Sequence, residues 1–259
     1  MYFMVCVFGN PQERRYLPIL KALNVGVELQ GYGPEGVVSR AVWEKRLALH
    51  KAIARKVSTR LAVHGPFIGL VYNHNDCLLK QAIRKRLDMT FEMTRALKPD
   101  TLVLHTQYRS SFPKFEMEKM WVENVADFWR REIKRYAACG VRVALENLEE
   151  PDPELMIDLV DRVDHEYLGL CLDTGHANIF SDLKFSQWVE RMGRRLMHIH
   201  IHDNNGDVDS HLPIGAGNID FKDLFDAVRR IVPQAAVSLE VQEKPEVVIN
   251  NLRRVLQFR

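Results

Sequence analysis

One pattern repeats along the chain: a short apolar run rich in β-branched residues, a polar turn, and then a longer amphipathic segment. The runs predict eight strands near 2–8, 25–30, 61–64, 101–105, 141–146, 168–173, 196–202 and 235–241. Helical spacing of apolar residues predicts eight helices near 12–23, 42–56, 76–97, 116–138, 153–163, 186–193, 221–231 and 246–257. Because strict alternation implies parallel strands with right-handed crossovers, eight units predict an α/β fold, a closed (β/α)8 TIM barrel.

The length and composition of the chain agree with one domain. Its 259 residues, 46% of them hydrophobic, suit one large α/β unit, and no linker or low-complexity stretch interrupts the series. We therefore expect a single domain over residues 1–259, with its active site at the C-terminal ends of the strands.

Charge and cysteine content argue against several classes of partner. Lys and Arg total 36 against 34 for Asp and Glu, and a net charge of +2 does not favour a nucleic-acid binder. No apolar run is long enough to cross a bilayer, and the first run leads straight into a turn at Gly9, unlike a signal peptide. The four cysteines are far apart and form no CxxC, which favours reduced thiols and a cytoplasmic location. A homo-oligomer stays open.

Six of the predicted strands end on a side chain that can bind a metal ion. These side chains are His64, His105, Glu146, Asp173, His200 and Glu240. A charged or imidazole group at the end of a buried strand must be stabilised, and the ends of parallel barrel strands meet at one face. One such residue alone is more often structural, but six converging ones predict a shared metal site.

Alternation along the strands predicts which side chains share the face of each ligand. Ala144 and Arg142 share the face of Glu146, Cys171 and Gly169 that of Asp173, and Ser238 and Ala236 that of Glu240. The side chains that face the interior of the barrel should therefore be small or polar. In MHIHIH, one face carries His198, His200 and His202, and parity does not say which of them is the ligand.

Two loops add further donors. Asp173 and His176 leave the same strand end, where Gly175 would permit a tight turn. Asp209 and His211 follow the seventh strand, in a stretch that is also typical of a solvated turn. Candidates for substrate contact on the same face are Tyr108, Arg109, Asn147 and His202.

Taken in order, these motifs resemble the xylose-isomerase-like TIM-barrel superfamily, which includes sugar isomerases, sugar-phosphate and ketose epimerases, and the endonuclease IV family. The motifs are GVEL, HGPF, LVLHT, LENL, LCLDTGHAN, HIHIHDN, DSHLPIGAGNIDF and SLEV. The resemblance implies a catalytic metal held by Glu146, Asp173, His200 and Glu240. Endonuclease IV is similar but carries three zinc ions, and its additional ligands would match His64, His105, His176, Asp209 and His211. One to three divalent ions, zinc or manganese, are therefore implied per chain.

The resemblance favours a metal-dependent isomerase or epimerase of a small sugar, sugar phosphate or polyol. Glu146 and Glu240 would exchange a proton beside a metal-chelated carbonyl. The alternative is an endonuclease-IV-like multinuclear hydrolase of a phosphoester, with a small molecule preferred over DNA because DTGHAN replaces that family's DTCH. A third hypothesis is a sugar-binding barrel without turnover.

Overall fold

The computed structural model describes residues 1–33, 39–57, 60–72, 76–111 and 116–259. Eight parallel strands close into a barrel in chain order, each paired with the next and the last with the first. They are β1 Tyr2–Val7, β2 Gly26–Leu29, β3 Leu61–His64, β4 Thr101–His105, β5 Arg142–Glu146, β6 Leu168–Asp173, β7 Leu196–Ile201 and β8 Ala236–Leu239. The predicted TIM barrel is confirmed.

Helices follow the strands and cover the outside of the barrel. Those in the described residues are α1 Leu17–Ala22, α2 Arg40–Ala54, α3 Cys77–Leu97, α4 Glu116–Ala137, α5 Glu154–Val163, α6 Thr174–Phe180, α7 Phe185–Met192, α8 Phe221–Ile231 and α9 Pro245–Val255. The eight predicted segments each contain a helix. The additional helix in the described residues, α6, lies where only a turn was expected.

The helix α6 begins directly at the end of β6 because Asp173 caps it. The Asp173 side chain is the N-cap, and its Oδ1 accepts a hydrogen bond from the His176 backbone N–H at 2.7 Å. Gly175 lies in the first turn without a positive φ, so the prediction that it supplies a special turn conformation is wrong. The sequence between β6 and α7 is helical because an aspartate stands at the cap position.

Two cores lie on opposite faces of the strands. Large side chains such as Trp129, Trp188 and Phe225 pack between barrel and helices and are fully buried. Inside the barrel the side chains are small, in layers made by Met4, Ala62 and Ala236 and by Val103, Ala144 and Cys171. The inward positions predicted for Ala144, Cys171 and Ala236 are therefore confirmed, because alternation along a strand is geometric. Within the described residues, no helix has the length and apolar character needed to span a membrane.

Candidate functional site

The strand ends, the first turn of α6 and the loop after β7 bring the nine predicted metal ligands together at the C-terminal mouth. Eight of them line a cavity of about 520 Å³: His64, His105, Glu146, Asp173, His176, Asp209, His211 and Glu240. The ninth, His200, is fully buried and faces the carboxylates of Glu146 and Glu240. Residues distant in sequence thus form one cluster.

His200 lies among three carboxylates at the spacing of ligands that share one cation. Its Nδ1 is 3.1 Å from Glu240 Oε2, 3.4 Å from Glu146 Oε2 and 3.8 Å from Asp173 Oδ2. A tetrahedral zinc ion with bonds of about 2.1 Å separates its ligand atoms by about 3.4 Å. His200 Nδ1 and Glu146 Oε2 are buried and, among the described residues, have no hydrogen-bond partner. The four side chains therefore fit a divalent ion.

The outer nitrogen of several histidines is fixed by an acceptor. Nδ1 of His64, His176 and His211 lies 2.9, 2.9 and 2.8 Å from the backbone carbonyls of Gly65, Asn147 and Glu240. A carbonyl only accepts, so each Nδ1 carries a proton and donates it. In the neutral form, each Nε2 is then a free lone pair directed at the carboxylates. Such outer contacts orient metal-ligating histidines.

Two further donor groups adjoin the His200 group. Nε2 of His64 and His105 lies 3.2 and 3.6 Å from Glu146 Oε2. Nε2 of His176 and His211 lies 3.5 and 3.1 Å from Asp209 Oδ2. Asp209 and His211, predicted as ligands in a stretch that is also typical of a solvated turn, both line the cavity.

Glu28 in β2 supports the cluster from below, and sequence analysis missed it as a site residue. It is fully buried and accepts from His200 Nε2 at 3.0 Å, from His198 Nε2 at 2.9 Å and from Ser238 Oγ at 2.7 Å. The contact fixes the proton of His200 on Nε2 and leaves Nδ1 for a cation. The signal was a carboxylate inside an otherwise apolar strand, GVEL. Gln30 likewise positions Glu240 by donating to its Oε1 at 2.9 Å.

The structure separates the roles of the three histidines of β7 and its end. His200 faces the carboxylates, and His198 contacts Glu28 below. His202 Nε2 lies 3.2 Å from Asp173 Oδ2, and its ring stacks on His211 with centroids 3.9 Å apart. Among the three, His200 has the geometry of a ligand that shares one metal ion with Glu146, Asp173 and Glu240.

Gly175 is required by close packing rather than by a turn. A Cβ on residue 175 would overlap the His202 ring, which is completely buried. We expect Gly175→Ala to displace that ring and to lower the free energy of unfolding by about 1–3 kcal/mol, as overpacking usually does. Chemical denaturation would measure the change, with Gly140→Ala as a comparison at a glycine with open space but a positive φ. Unchanged stability in Gly175→Ala would contradict the close contact.

Three of the four predicted substrate contacts are not placed in the cavity. Tyr108 is buried. Its hydroxyl donates a hydrogen bond to Glu118 at 2.7 Å, and its ring packs against Trp121. Asn147 pairs with the backbone of Asp173 through both ends of its amide, at 2.7 and 3.2 Å. His202 lies behind Asp173 and Asp209.

Arg109 does line the cavity, but its guanidinium is paired with Glu149 at 2.7 Å.

Burial and charge shift the pKa values of the cluster in opposite directions. Burial opposes protonation of His64, His176 and His211, but the carboxylates beside them raise the pKa to about 9, 10 and 9. Burial, with the neighbouring His64, lowers the pKa of His105 to about 3. Despite burial, His176 and His202 lower the pKa of Asp173 to about 2.

These shifts predict that the metal-free protein loses stability as pH rises. A histidine with a raised pKa contributes stability that is complete below its unfolded pKa of about 6.5 and is lost as pH passes through 9–10. A cation must displace the same protons, so the stabilisation by metal should grow over that range. Thermal unfolding of chelated and metal-loaded protein at pH 6.5, 8 and 9.5 would measure it. A difference between the two forms that shrinks with rising pH would contradict the prediction.

The barrel and its mouth agree with comparison to known families. Residues 26–257 match the family described as xylose isomerase-like TIM barrel. The chain belongs to the xylose isomerase-like TIM barrel family. This confirms the resemblance found from the ordered motifs.

Individual relatives share this fold over most of the chain. An uncharacterized protein of Methanocaldococcus jannaschii is 26% identical over 206 residues, which cover 71% of this chain and 65% of the relative. The match thus spans less than two thirds of that relative's length. A Thermus thermophilus protein soaked with ZnCl2 is 25% identical, with a TM-score of 0.74 over 99% of this chain and 98% of its own. A D-tagatose 3-epimerase-like protein is 21% identical, with a TM-score of 0.79 over 100% of this chain and 97% of its own.

Proposed function

We propose that this member of the xylose isomerase-like family is a metal-dependent isomerase or epimerase. Its substrate would be a small sugar, sugar phosphate or polyol, and the residues 1–259 would act as one domain. The observation that carries the proposal is the pair of carboxylates, Glu146 and Glu240, that flank His200 Nδ1 and line the same cavity. A structural relative named for ketose epimerisation and another soaked with zinc support it.

The cavity suits a small ligand. Its volume of about 520 Å³ lies within the usual range of about 300–1,000 Å³ for small-molecule pockets. Phe8, Phe67 and Leu148 give it apolar walls, while Gln30 and Gln242 add amides to its lining. A carbohydrate presents the same mixture of C–H faces and hydroxyl groups.

Glu146 and Glu240 would be the catalytic residues. They reach the cavity from β5 and from the end of β8, three strands apart around the barrel. Burial opposes their ionisation, but the neighbouring His200 lowers the pKa of both, so both remain carboxylates at neutral pH. One carboxylate would remove the proton from the carbon beside the carbonyl. The other, after taking up a proton from solvent, would deliver that proton to the same carbon from its own side, and the first would then release its proton to solvent.

The two catalytic carboxylates would also help to hold a divalent ion. Glu146, Asp173, His200 and Glu240 would be its ligands. When bound there, the ion would polarise the substrate carbonyl and stabilise the negative charge that develops as the proton leaves. Gln30 would hold Glu240 in place through its 2.9 Å hydrogen bond.

Proton exchange with solvent tests this function directly. The protein, loaded with manganese, cobalt or zinc, would be incubated in D2O with a panel of ketoses, aldoses and their phosphates. We expect the proton signal beside the carbonyl to disappear and an epimer or isomer to form, and chelation to stop both. Absence of exchange with every substrate and metal would contradict the proposal.

A multinuclear hydrolase is the second candidate, and the two additional donor groups favour it. His64 and His105 share Glu146 with the His200 group, and His176 and His211 converge on Asp209. Several cations there could neutralise a phosphoryl group and its leaving oxygen. Metal analysis after loading with excess zinc discriminates the two. Three zinc ions per chain, with cleavage of a phosphoester, would favour hydrolysis, and at most one would count against it.

A further inference from the structure

Arg46, on α2, places its guanidinium in the wall of the same cavity. It lines the cavity together with Gln30, Gly31 and Glu240. Its Nε is buried and, within the described ranges, has no hydrogen-bond acceptor. Among those same residues it forms no ion pair, in contrast to Arg109, which lines the cavity but is paired with Glu149. A buried N–H without an acceptor is destabilising, so an anionic oxygen of a bound ligand would be a favourable partner for it.

The position of Arg46 is shaped by its neighbours. The guanidinium lies over Gly31, where a Cβ would overlap it, and Gly31 adopts a positive φ of 96°. Gly31 directly follows Gln30, which holds Glu240. The local structure therefore leaves room for a cation on the side of the mouth where Glu240 stands.

A second groove continues from Arg46 and is also basic. It measures about 540 Å³, and its lining includes Arg14, Lys45 and Arg46 but no aspartate or glutamate. Neither Arg14 nor Lys45 has an ion-pair partner in the part of the chain that the structure describes. Phe8 and Arg46 line both spaces and form their common wall.

Charge is thus divided across the mouth. The floor carries the carboxylates of Glu146, Asp173 and Glu240. The wall toward α2 carries Arg46, and Arg14 and Lys45 line the groove beyond it. An anionic substituent would be repelled by the floor and attracted to that side. A neutral sugar would gain nothing from this asymmetry.

We propose that Arg46 binds a phosphate group of the substrate, with Arg14 and Lys45 adding positive potential, and that the enzyme acts on a phosphorylated sugar or polyol. The planar guanidinium donates to two anionic oxygens at once, and three nearby cations suit a dianion better than a carboxylate. Held there, the phosphate would fix which end of the substrate lies at Glu146 and Glu240. The inference rests on the proposed function for the identity of the reacting end.

Binding measurements test the site without requiring turnover. Metal-loaded protein would be titrated calorimetrically with D-fructose, fructose 6-phosphate and glucuronate as probes. We expect fructose 6-phosphate to bind at least about tenfold more tightly than fructose, and more tightly than the carboxylate probe. Arg46→Gln should reduce binding of the phosphate probe by about tenfold or more and that of fructose by less than about twofold. Arg46→Lys, which keeps the charge but loses the fork, should lie between.

Arg55→Gln is the matched control, since Arg55 is exposed at the C-terminal end of the same helix and its loss removes the same charge. It should bind both probes as the wild type does. Equal binding of fructose and its phosphate by the wild type, or an unchanged ratio in Arg46→Gln, would overturn the inference. Intact Arg46-dependent phosphate binding without any proton exchange would instead contradict the proposed function and leave the anion site standing.

Discussion

Glu146→Gln and Glu240→Gln are each expected to lower the rate of proton exchange at the substrate carbon by about 10²–10⁴-fold, the usual contribution of a positioned acid or base. Glutamine has the shape of glutamate and keeps an oxygen for the metal, but it does not accept a proton at neutral pH. The loss should therefore fall on turnover more than on binding. Exchange rates in D2O, measured beside the metal content of each variant, would show it.

The two variants should differ in how they affect metal binding. Glu146 contacts His64, His105, His176 and His200, whereas the Glu240 side chain contacts His200 alone among them. Glu146→Gln should therefore weaken metal binding more than Glu240→Gln.

Glu243→Gln provides the control, because Glu243 is an exposed glutamate three residues beyond Glu240. Its exchange rate should match that of the wild type. Exchange at the wild-type rate in either catalytic variant, with metal bound and the fold intact, would refute the proposed roles.

The barrel and most of its mouth could be predicted because they follow from two regular periods. Strand alternation fixes which side chains face inward. Glu146 shares the inward face of Ala144, and Asp173 shares that of Cys171, so both carboxylates reach the mouth of the barrel interior. Parallel strands in a closed barrel then bring their C-terminal ends together. No alignment is needed for either step.

Loop side chains have no such period, so their directions could not be predicted in the same way. Tyr108 and Asn147 follow strand ends, yet one packs beneath α4 and the other binds the backbone of β6. The residues of α6 were expected to form a turn because Asp173 was interpreted only as a metal ligand. In the structure its Oδ1 caps the helix at the His176 N–H, and its Oδ2 contacts His202. Glu28 was missed because β2 ends on Leu29, so alternation was not applied to this strand.

Glu28→Gln is expected to weaken binding of zinc or manganese by about 10–100-fold, although Glu28 would touch no metal itself. The carboxylate accepts the Nε2 proton of His200 at 3.0 Å and is fully buried. The carboxylate now accepts hydrogen bonds from N–H and O–H groups. The amide NH2 of glutamine would face these donors and could not accept from them. His200 would then lose the contact that keeps Nδ1 free and aimed at Glu146 and Glu240.

Ser238→Ala is the matched control for this variant, since it removes a different hydrogen bond to Glu28, of 2.7 Å, and leaves the His200 contact in place. Its metal affinity should fall by no more than about threefold. Competition with a chromophoric chelator would measure both affinities, and thermal unfolding of the metal-free forms would separate lost affinity from lost stability. Equal affinities for Glu28→Gln and the wild type would mean that packing alone orients His200, without its buried carboxylate.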